Sequence, residues 1–412
     1  MRILNLESGF PPELASGRLP YEFANELAKR GHKVKVITVF PRKLWISEQL
    51  SLPKARFFYW EKIDNVLVLR CWPQFKGKSL ISRAIESTVL PFSLFVGGIV
   101  AGKKDVIHCQ SPPILLAFAA CILKEFTRTP VVLRIQDIHP DALIKIRLIK
   151  NKPLIRTLEF LEKFLFSFVD HITVIAEGYR RNILSKGVNS DKVSLIPNWA
   201  DVESIRPAAE SNNFREDNDL LDKFLVTYAG TMSWPQDLET VVDSAQLLQN
   251  HKDIQFLLVG EGIKKKSLQD RSQTLKLKNI RFFGLQARKK YLQILQASDV
   301  CLVSLKKSFD SPSFPSKALE IMACRRPILA NVPLDGDVST IIQDAKCGLV
   351  VEPENANALS QAILNLHDNR IRSRELAENG RRYLEEHFSL ATCISSYEEI
   401  FDEITKQGKM HD

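Results

Sequence analysis

Long apolar runs are scarce in this chain of 412 residues. The most hydrophobic stretch is 79–101, and within it Val89–Ala101 carries no charge. Those 13 residues, interrupted by Pro91, fall short of the ~20 that span a bilayer. A core helix fits them, as does a helix dipping into one leaflet with Lys103 and Lys104 on lipid head groups. The first residues, M-R-I-L-N-L-E-S-G-F, hold neither a long apolar run nor a cleavage site, and read as a β-strand. No C-x-x-C joins any of the seven cysteines, and an odd number cannot all pair. Neither a zinc site nor a disulfide framework is indicated, which favours a reducing compartment. No G-x-G-x-x-G follows the first strand, so a dinucleotide site is disfavoured. No internal repeat or low-complexity tract stands out.

Acidic residues are in deficit in one half only. Residues 1–203 hold 30 Lys and Arg against 19 Asp and Glu, a net +11, whereas residues 204–412 hold 27 against 29, a net −2. A basic half suits an anionic membrane surface or nucleic acid. Nucleic-acid binding would want aromatics interleaved with a basic cluster, and the cations here are diffuse. What the chain does have is 45% hydrophobic and 25% charged residues, a globular composition. Its length suits two domains.

Nearly continuous apolar runs read as parallel strands buried on both faces. In the first half they are Arg2–Leu6, Lys33–Phe40, Val66–Cys71, Val106–Gln110, Val131–Asp137, Ile172–Ile175 and Val193–Ile196. Helical patterns at Tyr21–Arg30, Pro113–Phe126 and Leu154–Phe168 separate several of them, so a doubly wound parallel sheet is expected. Pro207 through Asp222 is polar and reads as an exposed linker. A second α/β sheet then follows, with strands Phe224–Ala229, Ile254–Val259, Ile280–Phe283, Val300–Leu305, Pro327–Ala330 and Gly348–Val351. Ser373–Thr405 reads as helical throughout, anchored by Tyr383, Phe388, Tyr397 and Phe401.

One stretch carries chemistry: S-P-S-F-P-S-K-A-L-E-I-M-A-C-R-R-P-I-L, Ser311 to Leu329. Pro312 and Pro315 make its first part a loop. A short helix starts near Lys317, Arg325 and Arg326 favour its C-terminus, and Pro327 stops it. Lys317 and Glu320 then lie one turn apart at a helix start, where free N–H groups suit a phosphate. Lys317 would add a point charge and Glu320 two acceptors for a sugar diol. A surface lysine and a dipole-satisfying glutamate would look the same in this window.

The stretch resembles the donor-site signature of retaining glycosyltransferases of family 4, enzymes of the GT-B fold. In that family the helix reads roughly L-E-A-M-A-x-G-x-P-V, and here it reads L-E-I-M-A-C-R-R-P-I. The resemblance covers nearly the whole chain: F-P-P-E-L-A-S-G at 10–17, R-G-H-K-V-K-V-I at 30–37, I-P-N-W-A-D at 196–201, Y-A-G-T at 228–231 and L-V-G-E-G at 258–262. It implies an α/β protein of two Rossmann-like domains with parallel sheets facing a cleft. Residues 1–203 would bind the acceptor and 204–385 the nucleotide sugar, and a last helix in 386–412 would cross back to the first domain. The look-alikes are bacterial-type transferases that build surface polysaccharides, lipopolysaccharide included, on polyprenyl-linked acceptors. A hexosyl or N-acetylaminosugar transferase, cytoplasmic and peripheral at the membrane face, is the expectation. No cofactor is implied beyond a nucleotide-sugar co-substrate, a UDP-sugar first among them.

For the donor, the resemblance implies Gly17, Gly230, Thr231, Gly260, Gly262, Lys317, Ala318, Leu319 and Glu320, with Glu320 matching the acid that binds the ribose. It also implies a catalytic group near Asp137, where many relatives read T-x-H-D; here the matching position of the His is Gln136, and His139 follows nearby. Two departures stand out. Relatives carry G-R-x-x-x-x-K-G after the first strand of the second domain, whereas this chain reads G-T-M-S-W-P-Q-D-L-E without a cation. The first acid of their E-x7-E falls on Pro312. Lys317 is the replacement cation, and with no D-x-D pair expected at the donor loop, no metal is expected. Two rivals remain: a nucleotide-sugar 2-epimerase of the same fold, and a non-catalytic partner that binds nucleotide sugar.

Overall fold

A computed structural model describes residues 1–12, 14–41, 57–72, 80–138, 141, 144, 151–205, 212–308 and 315–410. His139, Pro312 and the rest of residues 309–314 lie outside the described residues. The chain divides into two compact units, Met1–Pro197 with Cys393–Asp412, and Asn198–Thr392.

The first unit runs β1 (Arg2–Leu6), α1 (Leu14–Lys29), β2 (Lys33–Val39), β3 (Phe58–Ile63), β4 (Val66–Cys71), α2 (Leu80–Val100), β5 (Val106–Ser111), α3 (Ile114–Thr127), β6 (Val131–Ile135), α4 (Lys152–Phe168), β7 (His171–Val174), α5 (Glu177–Ser185) and β8 (Val193–Leu195). Its strand order is β3-β4-β2-β1-β5-β6-β7-β8. The sheet is not wholly parallel, as expected, because β3 pairs antiparallel with β4. Asp64, at φ 50, turns the chain between them. Phe58–Ile63 escapes a sequence reading because it is an edge strand with no fully buried position. One face of the sheet is apolar: Leu4, Leu6, Ile37, Ile107, Leu133 and Ile172 pack in one core with residues of α2, α3 and α4.

The opposite face is polar in its interior. Asn5, Glu7, Thr38, His108, Arg134 and Thr173 are all buried, and strand register puts Asn5 beside His108 and Arg134 beside Thr173. Phe23 of α1 stacks on His108 at 4.5 Å. Tyr397 covers the same place, with its ring 5.5 Å from His108 and its hydroxyl 3.1 Å from Thr173.

The second unit runs β9 (Phe224–Ala229), α6 (Leu238–Leu247), β10 (Ile254–Val259), α7 (Lys265–Thr274), β11 (Ile280–Phe283), α8 (Arg288–Ala297), β12 (Val300–Ser304), α9 (Ser316–Ala323), β13 (Ile328–Asn331), α10 (Asp337–Asp344), β14 (Gly348–Val351), α11 (Ala356–Asp368) and α12 (Arg370–His387). Six parallel strands lie in the order β11-β10-β9-β12-β13-β14. Both faces are apolar: Leu225, Leu257, Cys301 and Ile328 serve one core, and Val226, Phe256, Leu302 and Leu329 the other.

Three expectations need refinement. The described part of the linker, 212–222, is mostly exposed but is docked at two points: Phe214 and Leu220 are core residues, and Arg215 reaches Asp299 at 2.6 Å. Two apolar anchors in a polar stretch suffice to seat it. The C-terminal region is two helices, α12 and α13 (Leu390–Met410), rather than one. At the break, Ser389 bridges Ala200, whose N–H donates to the Phe388 carbonyl at 3.1 Å. The compact units divide at 197/198 and 392/393. Third, α1 begins at Leu14, so Gly17 sits in a first helical turn rather than in a loop.

Candidate functional site

Every strand of the second unit is parallel, so the loops after β9, β10, β12 and β13 share one edge. Such C-terminal edges are where α/β sheets bind ligands. The first two loops are zipped together: Gly230 N–H donates to Val259 O at 2.9 Å, Met232 N–H to Glu261 O at 2.9 Å and Lys264 N–H to Met232 O at 3.0 Å. Gly260 and Gly262 permit this approach. At φ +139 and +156 both adopt backbone that L side chains rarely take, and a Cβ would lie 2.0 Å from Gly230 O and 2.1 Å from Met232 O. Among the described residues these two expected binding glycines therefore have an architectural task, which is to hold the loop that carries Gly230 and Thr231.

Lys317, in the first turn of α9, reaches that loop. Its Nζ donates to the Tyr228 hydroxyl at 3.2 Å, lies 4.4 Å from the Tyr228 ring centre and stands close to Gly230. The Tyr228 hydroxyl in turn donates to the Thr231 carbonyl at 2.7 Å. Among the described residues no carboxylate pairs with Lys317, and burial lowers its pKa to about 8. No side chain caps α9, so its start keeps positive potential.

Glu320 is placed differently. It is buried, with Oε1 accepting from Arg288 at 2.6 Å and Oε2 from the Tyr291 hydroxyl at 2.7 Å. Arg288 and Tyr291 both come from α8 and fix the carboxylate's orientation. Ala318 and Leu319 turn their side chains into the core, so any ligand contact from them is through backbone.

Sequence reasoning missed the cations that other loops bring to this edge. Lys264, after β10, lies 4.2 Å from the ring centre of exposed Trp234 and pairs with Glu239; Lys306, after β12, is 3.7 Å from the same Glu239. No fixed spacing links these residues in the chain; only the parallel topology does. A D-x-D triplet was also overlooked: Asp335, Gly336 and Asp337 follow β13, and Asp337 opens α10. Among the described residues no group of three potential metal ligands forms.

Gly17 and Asp137 belong to the first unit. A Cβ at Gly17 would sit 2.7 Å from the Phe10 carbonyl carbon, so glycine lets α1 pack on its own leading loop. Asp137 follows β6; its Oδ1 accepts from the Ile138 N–H at 3.0 Å and from the Tyr179 hydroxyl at 3.3 Å. Those bonds are what a strand-end aspartate ordering its own turn would make.

The first unit also exposes a large apolar surface. Phe92 on α2, Phe126 on α3 and Phe160 on α4 are 69%, 72% and 68% exposed. Phe126 contacts Phe95 of α2 at 5.3 Å, and Phe118 of α3 contacts Phe164 of α4 at 6.3 Å, which makes the surface continuous across three helices. Lys103, Arg128 and Lys163 lie on the same helices or just beyond their ends. No helix among the described residues is long and apolar enough to cross a membrane.

Residues 16–204 match the family model described as Glycosyltransferase Family 4, and residues 210–383 that described as Glycosyl transferases group 1. WcaI of Escherichia coli K12, a glycosyl transferase named for colanic acid biosynthesis, is 27% identical over 394 residues, spanning 92% of this chain and 96% of its own. The O-antigen chain mannosyltransferase C of Escherichia coli is 24% identical over 409 residues, spanning 97% and 98%. Among solved structures, Anabaena Alr3699/HepE in complex with UDP superposes with a TM-score of 0.72 at 15% identity, over 98% of this chain and 100% of that one. The paired α/β units, the ordered motifs and the two family matches together make this chain a family 4 glycosyltransferase of the GT-B fold.

Proposed function

We propose that the protein transfers a sugar from a nucleotide sugar, with retention, to a polyprenyl-linked or other glycan acceptor during surface polysaccharide assembly. The observation that carries this reading is Lys317: a cation at a helix start, without a carboxylate partner among the described residues, against the loop that follows β9. A diphosphate is the anion that fits a lysine at a helix start, and Lys264 and Lys306 lie on loops of the same sheet edge. Anabaena HepE binds UDP on this fold, and WcaI is named for a surface polysaccharide. Glu320, oriented by Arg288 and Tyr291, would take the ribose hydroxyls, and the backbone of residues 230–232 would approach the phosphates.

In this reading the anomeric C–O bond to the diphosphate breaks while an acceptor oxygen bonds to the same face of the sugar. Charge builds on the leaving diphosphate, and Lys317 offsets it without reorganising. The acceptor's proton passes to a donor phosphate oxygen, so no strong protein base is required, and Asp137 orients the acceptor hydroxyl. The apolar surface on α2, α3 and α4, rimmed by cations, would seat the first unit on an anionic membrane where a lipid-linked acceptor lies.

The test is transfer from UDP-sugars to a polyprenyl-diphosphate sugar, in excess EDTA, with the new linkage assigned by NMR coupling constants. Retained configuration with EDTA-resistant turnover supports the reading. An inverted centre sinks the retaining assignment, and EDTA loss restored by Mg²⁺ or Mn²⁺ would hand the diphosphate to a metal, with Asp335 and Asp337 the first residues to examine.

A further inference from the structure

The end of α9 away from Lys317 leads into a second basic cavity. It has a volume of about 210 Å³ and lies between Arg325-Arg326, which follow α9, and the first two turns of α12. Arg325, Arg326, Arg370 and Arg374 line it together with Ser373 and Asp299. The charges do not balance within it. Asp299 is shared between Arg215 at 2.6 Å and Arg370 at 3.0 Å, and Arg325 faces Glu378 at 3.4 Å. Arg326 and Arg374 have no carboxylate partner among the described residues. Moreover, the Nε of Arg326 is buried without any hydrogen-bond partner. The same end of the cavity receives the start of α12, whose macrodipole adds positive potential.

We infer that this cavity is an anion site separate from the donor site, built for a small phosphate monoester. Guanidinium forks match phosphate oxygens in geometry as well as charge. A phosphate monoester carries roughly −1.5 to −2 at neutral pH, which answers the two unpaired arginines. The volume exceeds that of a bare phosphate and leaves room for a sugar-sized group beside it. The Ser373 hydroxyl offers a further donor. The two ends of α9 thus face different anions, and the inference does not depend on what Lys317 binds.

The experiment is calorimetric titration of glucose 6-phosphate at fixed ionic strength, with glucose as control, into the full chain and into Lys317→Ala, Arg326→Gln and Arg374→Gln. Arg374 is exposed, so Arg374→Gln keeps the fold even if the Arg326 variant does not. Saturable binding to the unmodified chain, retained in Lys317→Ala and weakened about tenfold in Arg374→Gln, supports the site. The inference is overturned by absence of saturation at about 10 mM, by equal binding of glucose, by affinity unchanged in both arginine variants, or by loss in Lys317→Ala alone.

Discussion

The two units share one architecture yet use their sheets differently. In the second, both faces of the sheet bury mainly aliphatic side chains, and the polar residues buried on its strands, Thr227, Gln255, Ser304 and Asn331, are uncharged. In the first, one face is apolar while the other buries Asn5, Glu7, Thr38, His108, Arg134 and Thr173 beneath Phe23 and Tyr397. The first unit is also the basic one and the one with exposed phenylalanines. A sheet without buried charge makes a rigid base from which an edge can hold a ligand of fixed shape. A unit that keeps polar groups inside and apolar groups outside has given up stability on both counts, which points to constraints other than folding.

The largest expected effect lies on the outside of the first unit. Replacing Phe92, Phe126 and Phe160 together by Ser should abolish flotation with anionic vesicles, since each buried phenylalanine contributes about 1.5–3 kcal/mol. Nucleotide binding by the second unit should not change. Equal flotation of the triple variant would erase this half of the contrast.

A somewhat smaller effect is expected inside. Glu7 is buried, and burial raises its pKa to about 8 against the opposing pull of Arg134 and of Asn5. An acid whose pKa is raised by folding binds more protons folded than unfolded, so stability falls as pH rises from about 4.5 to about 8. Glu7→Gln should therefore be the more stable protein at pH 8, by roughly 2–4 kcal/mol, and should lose that pH slope. His108 nearby is held well below its usual pKa by burial and by Arg134; it stays neutral when folded and protonates when unfolded, so below about pH 6.5 it adds a slope of opposite sign that both proteins share and that cancels in their comparison. Denaturant melts at pH 5, 6.5 and 8 decide the matter; parallel slopes for the two proteins would contradict it.

Smaller again is Glu320. Because it holds Arg288 and Tyr291, Glu320→Ala should destabilise the second unit by about 1–3 kcal/mol, whereas Lys317→Ala should cost almost nothing in stability. Thermal melts that rank the two variants the other way would show that their places in the fold have been misjudged.

Much of this was legible in the chain because buried parallel strands write themselves as apolar runs: Arg2–Leu6, Val66–Cys71, Phe224–Ala229 and Ile254–Val259 coincide with observed strands. Strand β3, half exposed at an edge, left no such mark. Lys317 was legible because a proline-bounded helix start is a local signal. The occupation of Glu320 by Arg288 and Tyr291 was not, since the partners lie 32 and 29 residues away and only the α8–α9 packing joins them. Gly260 and Gly262 were noticed as glycines that approach a ligand, but what they approach in this structure is the backbone of a neighbouring loop. The polar face of the first sheet was hidden for a similar reason. Asn5, His108 and Arg134 each sit singly in an apolar strand, and register alone gathers them.

The central claim is that Lys317 is the cation of the donor site, and UDP affinity as a function of pH tests it most directly. In the unliganded protein the pKa of Lys317 lies near 8, and a bound diphosphate would raise it, so binding takes up a proton above that pH. Calorimetry from pH 7 to 9.5 should find affinity level below about 8 and falling about tenfold per unit above it. Lys317→Arg should remove the dependence, and Lys317→Ala should bind about tenfold or more weakly throughout. Wild-type affinity in Lys317→Ala, at every pH, would contradict the account.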